Sequence, residues 1–350
     1  MGVIYLAAFL AACVASFAAA PFSIWLSKRF GVLDQPDARK VHNIPTPRWG
    51  GVAIYLGIVT AVAGIYAGFP RFRTLLEYRH SLYQQGKLLG VVSLENQLAG
   101  ILVGLTFVVI LGMIDDKRRV PAALKLPIQI IASLVVLNYG VQISGLRLPL
   151  IGSGYAQFPI LLSQVITVFW MIGFMNALNL ADGLDGLAAG LAAIASATFL
   201  AVAVIQGNTE TVFISKQLKL AGVLSAILCG SCMGFLPYNF SPAKVFMGDG
   251  GALGIGFLLG AITVIGTLKT TAVLSIMIPV IVVALPVLDV SLAIIRRFQK
   301  KSKIMEPDRE HLHHQLLKLG WTGREVVLLV YVLTLMLSVS AIFLAIVKEA

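Results

Sequence analysis

Charge is scarce in this 350-residue chain: Asp, Glu, Lys and Arg make up 12% of it, where a soluble domain carries about 25%. With 58% apolar residues and a mean hydropathy of +0.90, a soluble globular protein is excluded. Cysteine is nearly absent as well. Cys13, Cys229 and Cys232 all fall in apolar runs. Cys229-Gly-Ser-Cys232 has redox-motif spacing, but it lies mid-span without a nearby His or a βαβ context, so the three read as core thiols. Acidic residues are scarce, 16 against 27 basic ones, giving a net charge of +11. That positive charge is spread over short loops, the pattern of membrane orientation rather than of nucleic-acid binding.

Long apolar runs are abundant instead. They predict ten transmembrane helices at 3–27, 50–69, 96–114, 122–139, 158–178, 186–206, 218–236, 250–268, 271–295 and 325–347, each long enough for a hydrocarbon core of roughly 30 Å. The chain reads as one all-α membrane domain over 1–350, its first run a retained helix rather than a cleaved signal. Lys and Arg sort 18 to 9 between the two sides. The richer side is therefore cytoplasmic and both termini lie outside. Segment 141–150, followed by Gly-Ser-Gly at 152–154, predicts a small external β-hairpin. Segment 70–95 is mixed, with room for a short amphipathic helix. Gly100/Gly104, Gly186/Gly190 and Gly256/Gly260 have the spacing of close helix packing. No internal repeat is visible.

All nine aspartates (Asp34, Asp37, Asp115, Asp116, Asp182, Asp185, Asp249, Asp289 and Asp308) fall on or near the cytoplasmic side. Orientation does not require this, because acidic residues contribute little to topology. Some other demand gathers them. Adjacent carboxylates such as Asp115-Asp116 repel unless a cation relieves them, and hard oxygen ligands suit Mg²⁺. The same pair can also simply end a helix beside Lys117, Arg118 and Arg119. Asn176-Ala-Leu-Asn179-Leu-Ala-Asp182-Gly-Leu-Asp185-Gly186 clusters polar groups where one apolar span turns into the next, a placement that needs protein or a water-filled cavity around it. Asp182 has an alternative reading as the N-cap of the following helix. Met247-Gly-Asp249-Gly-Gly-Ala is a glycine turn entering a helix, a place suited to phosphate, although it matches no nucleotide fingerprint.

Two loops complete the inventory. In His311-Leu-His313-His314-Gln-Leu-Leu-Lys318, a helix would put His311, His314 and Lys318 on one face. Such a face can bind phosphate or shuttle a proton. Zinc is the rival, without a convincingly spaced Cys or Glu, and a solvated amphipathic helix is the plainer alternative. The first cytoplasmic loop, from Asp34 to Gly51, joins Arg39, Lys40, His42 and Arg48 to rigid prolines. It suits anions near lipid headgroups, as ordinary juxtamembrane charge also would.

Taken together, from Asp34 to about Gly320, these segments resemble the polyprenyl-phosphate N-acetylhexosamine-1-phosphate transferase family. The DGLDG run after the Asn pair and the His-rich loop are its most specific carriers. The resemblance implies ten or eleven transmembrane helices, a bacterial inner-membrane location and a cytoplasmic Mg²⁺ site, with Mn²⁺ able to substitute. It implies a UDP-N-acetylhexosamine donor, an undecaprenyl or similar polyprenyl phosphate acceptor, membrane lipids as surroundings, and room for a homodimer. By similarity Asp249, Asp115 and Asp116 are the metal and catalytic carboxylates. Lys125 faces phosphate, Asp182 and Asn179 match acidic-site positions, and His311, His313 and His314 hold the diphosphate. Gly183, Leu184, Asp185 and Phe246 form the uracil pocket, while Asn176, Asn239, Arg39, Lys40 and His42 join the substrate-binding set. Apart from the resemblance, the charged loop 296–310 is placed to flank a compact sugar, with Arg309 or Arg297 reaching its hydroxyls. The Arg39-Lys40-Val-His42 run and the interruption of the histidines by Leu312 look more like the N-acetylglucosamine branch than the peptidoglycan-pentapeptide branch, with N-acetylgalactosamine the next choice of sugar.

Three rivals stand against this expectation: the phospho-N-acetylmuramoyl-pentapeptide transferase, a membrane prenyltransferase and an ion-coupled transporter. A prenyltransferase would repeat Asp at helical spacing, and only Asp182/Asp185 does so. A transporter would carry its carboxylates deep in the spans.

Overall fold

The computed structural model describes residues 1–35, 44–84, 87–118, 120–147, 155–207, 211–266 and 319–347. Ten helices are described: α1 (Gly2–Arg29), α2 (Gly51–Gly68), α3 (Pro70–Leu76), α4 (Leu94–Arg118), α5 (Ala122–Asn138), α6 (Ile160–Ala181), α7 (Leu187–Gln206), α8 (Val212–Asn239), α9 (Gly248–Ile265) and α10 (Gly323–Val347). Eight of them are long and apolar enough to span a membrane, which makes this a multi-pass, all-α membrane protein. The expected span at 122–139, α5, has 17 residues and is about 26 Å long. The expected span at 271–295 lies outside the described residues.

Helix faces follow membrane packing rules rather than those of a soluble core. On α1 the buried stripe is small and spaced by three or four (Ala8, Ala12, Ser16, Ala20, Ser23, Ser27), while Leu6, Leu10, Val14, Phe17 and Trp25 are exposed. Without water to expel, helices gain from close approach, so small residues turn inward and large apolar ones face lipid. A Cβ on Gly230 or Gly234 would overlap the carbonyls of Phe9 and Cys13, so α8 and α1 meet backbone to backbone. Nearly every residue of α9 is buried, as expected of a helix apolar all round, and it packs against α4 and α6.

Three antiparallel strand pairs decorate the bundle: β1 (Leu33–Asp34) with β2 (Thr46–Pro47), β3 (Arg79–Gln84) with β4 (Lys87–Ser93), and β5 (Gly145–Arg147) with β6 (Tyr155–Gln157). The last pair lies on either side of the Gly-Ser-Gly run singled out in the sequence, a run that itself lies outside the described residues. Helix α3 is the short amphipathic helix of segment 70–95, burying Phe72, Leu75 and Leu76 beneath exposed Arg71 and Arg73. The β3–β4 ribbon after it was not anticipated, because its residues alternate too weakly to signal strands. Helix α8 starts six residues before the expected 218, since Lys216 and Lys219 lower the hydropathy of its first turns.

Asp182 requires a correction to its alternative reading. It is the C-cap of α6, not the N-cap of α7. The α7 N-cap is Gly186 at φ +84°, a left-handed conformation that glycine adopts without strain.

Candidate active site

The described aspartates converge at one end of the bundle, where α4, α6 and α8 stop and α5, α7 and α9 begin. Asp115 and Asp116 are the last acidic residues of α4, and both side chains are nearly sealed, 6% and 1% exposed. They point to different partners, as successive residues about 100° apart on a helix must. Asp115 Oδ1 accepts the Val120 amide at 2.6 Å, and its other oxygen is ion-paired with Lys125. Asp116 Oδ1 accepts the Asp249 amide at 3.1 Å and meets Arg48 Nε at 3.4 Å. Its Oδ2 is buried without a hydrogen-bond partner.

Asp249, in the first turn of α9, closes the knot. Lys125 Nζ, from the start of α5, donates to Asp249 Oδ2 at 2.7 Å, and Asn179 Nδ2 donates to Oδ1 at 3.3 Å. Four elements thus share three carboxylates, one lysine and one amide. The glycines of the 247–252 turn make this approach geometrically feasible. A Cβ on Gly112 would overlap Gly250, and one on Gly51 would overlap Gly251, so α9 enters between α4 and α2 with no side chain intervening. The glycines expected to open the backbone to phosphate are occupied by helix packing, and the Asp249 amide is already bonded to Asp116.

The DGLDG turn sits beside this knot and is pinned from three sides. The Gly186 amide donates to Asn239 Oδ1 at 3.1 Å, and the Asn239 amide group donates to the Val245 carbonyl at 3.0 Å. Tyr331 of α10 donates its hydroxyl to the Gly186 carbonyl at 2.5 Å, its ring lying over Gly190. Asp185 Oδ2 accepts the Ala243 amide at 3.0 Å. Gly183 is exposed at the tip and Leu184 is buried beneath it. Burial and the neighbouring Asp249 charge push the Asp182 carboxyl up to about 7, with Asp185 adding and Arg48 opposing. Phe246 bonds through its backbone to the first loop, donating to the Pro47 carbonyl at 2.8 Å and accepting the Gly50 amide at 2.9 Å.

Of the residues singled out in the sequence, Asp115, Asp116, Lys125, Asn179 and Asp249 form one connected cluster, with Asp182 within electrostatic reach. Asn176 is engaged elsewhere, exchanging two hydrogen bonds with Gln129 of α5 at 2.7 and 3.3 Å. Asn239 spends its side chain on shaping the loop. Arg39, Lys40, His42, Arg297, Arg309, His311, His313 and His314 lie outside the described residues. Three contributors were not expected in these roles, Arg48 having been read only as one of the basic residues of the first loop. Arg48 bridges Asp116 and Asp34, Arg324 donates to the Ser241 carbonyl at 2.7 Å, and Tyr331 braces the turn. Arg48 stands just before Trp49-Gly50-Gly51 and Tyr331 carries a hydroxyl within an apolar span, which were the available signals.

Whether a divalent cation fits is a question of charge and donors. Among the described residues, Asp115, Asp116, Asp182 and Asp249 face Lys125 and Arg48 as their cations, which leaves this described cluster two positive charges short when fully ionised. The unpartnered Asp116 oxygen is a hard donor of the right kind. Among the described residues no three carboxylate, His or Cys side chains form a ready cage. Mg²⁺ does not need one, since it commonly takes one or two carboxylates plus substrate phosphates. The donor set fits.

A family model described as glycosyl transferase family 4 matches residues 98–267, the stretch that holds this cluster. The chain is 35% identical over 322 residues to the probable undecaprenyl-phosphate N-acetylglucosaminyl 1-phosphate transferase of Bacillus subtilis (strain 168), covering 90% of this chain and 78% of that protein. The chain belongs to the polyprenyl-phosphate N-acetylhexosamine-1-phosphate transferase family. A second member, the decaprenyl-phosphate N-acetylglucosaminephosphotransferase of Mycobacterium tuberculosis (strain ATCC 25618 / H37Rv), is 35% identical over 334 residues, 92% of this chain and 77% of the other. The undecaprenyl-phosphate alpha-N-acetylglucosaminyl 1-phosphate transferase of Escherichia coli (strain K12) is 26% identical over 312 residues, 88% of this chain and 75% of the other.

Proposed function

We propose that this protein transfers N-acetylglucosamine-1-phosphate from UDP-N-acetylglucosamine to a membrane polyprenyl phosphate such as undecaprenyl phosphate, releasing UMP. The observation that carries this is the Asp115–Lys125–Asp249–Asp116 knot at the end of a membrane bundle, in a chain whose relatives bear that activity in their names. Working at the cytoplasmic face of a bacterial inner membrane, it would start a cell-envelope polymer such as lipopolysaccharide or teichoic acid. The excess of Lys and Arg on the loops of this end supports that orientation.

In the reaction a phosphate oxygen of the lipid attacks the phosphorus attached to the sugar. The bond from that phosphorus to the UMP oxygen breaks, leaving lipid diphosphate-linked sugar and UMP. Mg²⁺, held by Asp249 with Asp115 and Asp116, would neutralise charge on the diphosphate. The chain's own residues do the positioning. Asn179 and the Asp116–amide bond hold Asp249 in place, and Lys125 supplies a mobile positive charge for phosphate. The Gly183-Leu184-Asp185 turn, together with Phe246, would receive the uracil. A lipid phosphate is already ionised at neutral pH, so the carboxylates mainly orient it.

The test is UMP release by purified protein in detergent. It should require both UDP-N-acetylglucosamine and undecaprenyl phosphate, with little release from UDP-N-acetylmuramoyl-pentapeptide. The reverse donor preference would move the chain to the peptidoglycan branch. Release of UMP with no lipid acceptor present would refute the transfer itself.

A further inference from the structure

Asp115 and Asp249 are each clamped on one oxygen and open on the other. Asp115 Oδ1 holds the Val120 amide at 2.6 Å, and Asp249 Oδ1 holds Asn179 at 3.3 Å while its own amide is tied to Asp116 at 3.1 Å. Among the described residues, the Lys125 ammonium is the cation on the remaining oxygens, ion-paired with Asp115 and 2.7 Å from Asp249 Oδ2, and it lies where the two carboxylates themselves come within hydrogen-bonding reach of each other. The carboxylates sit at the ends of two packed helices whose glycines touch. Lys125 instead arrives on a flexible four-carbon stem from a third helix, and its side chain is 31% exposed. Of the three groups, only the lysine has both the freedom and the room to leave.

We infer that Lys125 is a resident stand-in for the divalent cation, joining Asp115 to Asp249 until metal binds and displaces it from Asp249. The inference rests on the metal reading proposed above. An ammonium and a divalent cation cannot both sit on Asp249 Oδ2, because they would repel strongly at contact distance in a partly sealed site. Competition of this kind is a coupling and must be reciprocal: whatever holds Lys125 in place weakens metal, and metal loosens Lys125. Displacement also gives the freed ammonium a use, since it is released beside the point where a diphosphate would meet the carboxylates. The cluster would then avoid being an empty, self-repelling acidic hole between turnovers.

The experiment measures Mn²⁺ binding to substrate-free protein in detergent by electron paramagnetic resonance, so it does not depend on turnover. Lys125→Met should bind Mn²⁺ more tightly than wild type, by about tenfold, although it should be inactive. Lys125→Arg, which keeps the charge, should stay within about twofold of wild type. Equal or weaker binding by Lys125→Met overturns the inference, as does equal tightening by Lys125→Arg. A second readout needs no variant: reductive methylation of Lys125 in wild type, followed by peptide mass spectrometry, should speed up when Mg²⁺ is added. An unchanged or slower rate overturns the inference even if Lys125→Met does not fold. Mn²⁺ binding to neither wild type nor Lys125→Met would sink the metal reading itself, whereas equal binding to both would sink only the exchange.

Discussion

At the end of the bundle where α4 stops and α9 starts, carboxylates, Lys125 and Arg48 carry the contacts between elements. At the opposite end neutral amides, hydroxyls and paired strands do the same work. There Gln97 donates to the Gly140 carbonyl at 2.8 Å and accepts from Gln217 at 3.3 Å, both glutamines being buried. Ser163 and Thr167 of α6 take up the carbonyl and amide of Ile143 at 2.7 and 2.9 Å. The acids described at that end, Glu77 and Glu95, are exposed. A neutral network satisfies buried polar groups at low electrostatic cost, which is what a purely structural end needs. Crowding four carboxylates around two cations does the reverse, and such crowding marks a place built for a charged ligand. The difference between the ends supports placing the proposed chemistry at the acidic one, independently of any relative.

The sharpest way to break the comparison is Asp249→Asn. It should cut UMP release by about a thousandfold, the scale of losing a preorganised charge in a transition state, while leaving the detergent-solubilised protein folded. Activity within about tenfold of wild type would take Asp249 out of the site. The next effect is on packing. Gly112→Ala should destabilise the protein by about 1–3 kcal/mol and depress activity, because its methyl group overlaps the Gly250 backbone. Gly173→Ala, where a methyl group meets nothing within 4 Å, should be neutral or slightly stabilising. Equal melting temperatures for the two variants would refute the backbone contact.

Much of this was legible in the sequence, for identifiable reasons. Hydrophobic length located every described span, since a membrane helix must be apolar along its whole course. The Asp115-Asp116, Asn179 and Asp249 positions stood out because polar groups at span ends in so apolar a chain need a cause. Partners were harder to read. Asn176 looks like a site residue in one dimension, yet it pairs with Gln129, 47 positions away. The glycines around Asp249 read as phosphate-binding because a sequence does not reveal that Gly112 and Gly51 press against them. The β3–β4 ribbon escaped because two short strands with weak alternation leave no periodic signal.

Two conservative substitutions sharpen the contrast at smaller scale. Tyr331→Phe removes one hydrogen bond from the carbonyl of Gly186 and should raise the KM for UDP-N-acetylglucosamine by about fivefold with little change in kcat, as a loss of about 1 kcal/mol predicts. Gln97→Leu, at the other end, should lower thermal stability by a similar energy and leave KM untouched. The pair is informative because each variant deletes polar contacts to a backbone carbonyl near a helix end. Steady-state kinetics beside melting curves checks both, and a KM shift in Gln97→Leu would mean the two ends are coupled.

An effect that emerges only with pH concerns Asp182, whose carboxyl is pushed up to about 7 by burial and by Asp249. An unfolded aspartate titrates near 3.9. Between about pH 4 and 7 the folded protein therefore keeps a proton that the unfolded chain has released. Stability falls with rising pH wherever the folded state binds more protons. Asp182 thus costs nothing below pH 4, costs progressively more up to pH 7, and exacts its full penalty above that. The shift of about three units caps this penalty at about 4 kcal/mol, and solvent reaching the half-buried side chain reduces it. Asn mimics the protonated acid, so Asp182→Asn should match wild type near pH 4 and melt a few degrees higher at pH 8. Melting curves in detergent from pH 5 to 8 should show the wild-type slope flattened in the variant. A variant that tracks wild type at every pH would mean that Asp182 is as readily ionised in the fold as in water, and that the acidic end is less crowded than its geometry indicates.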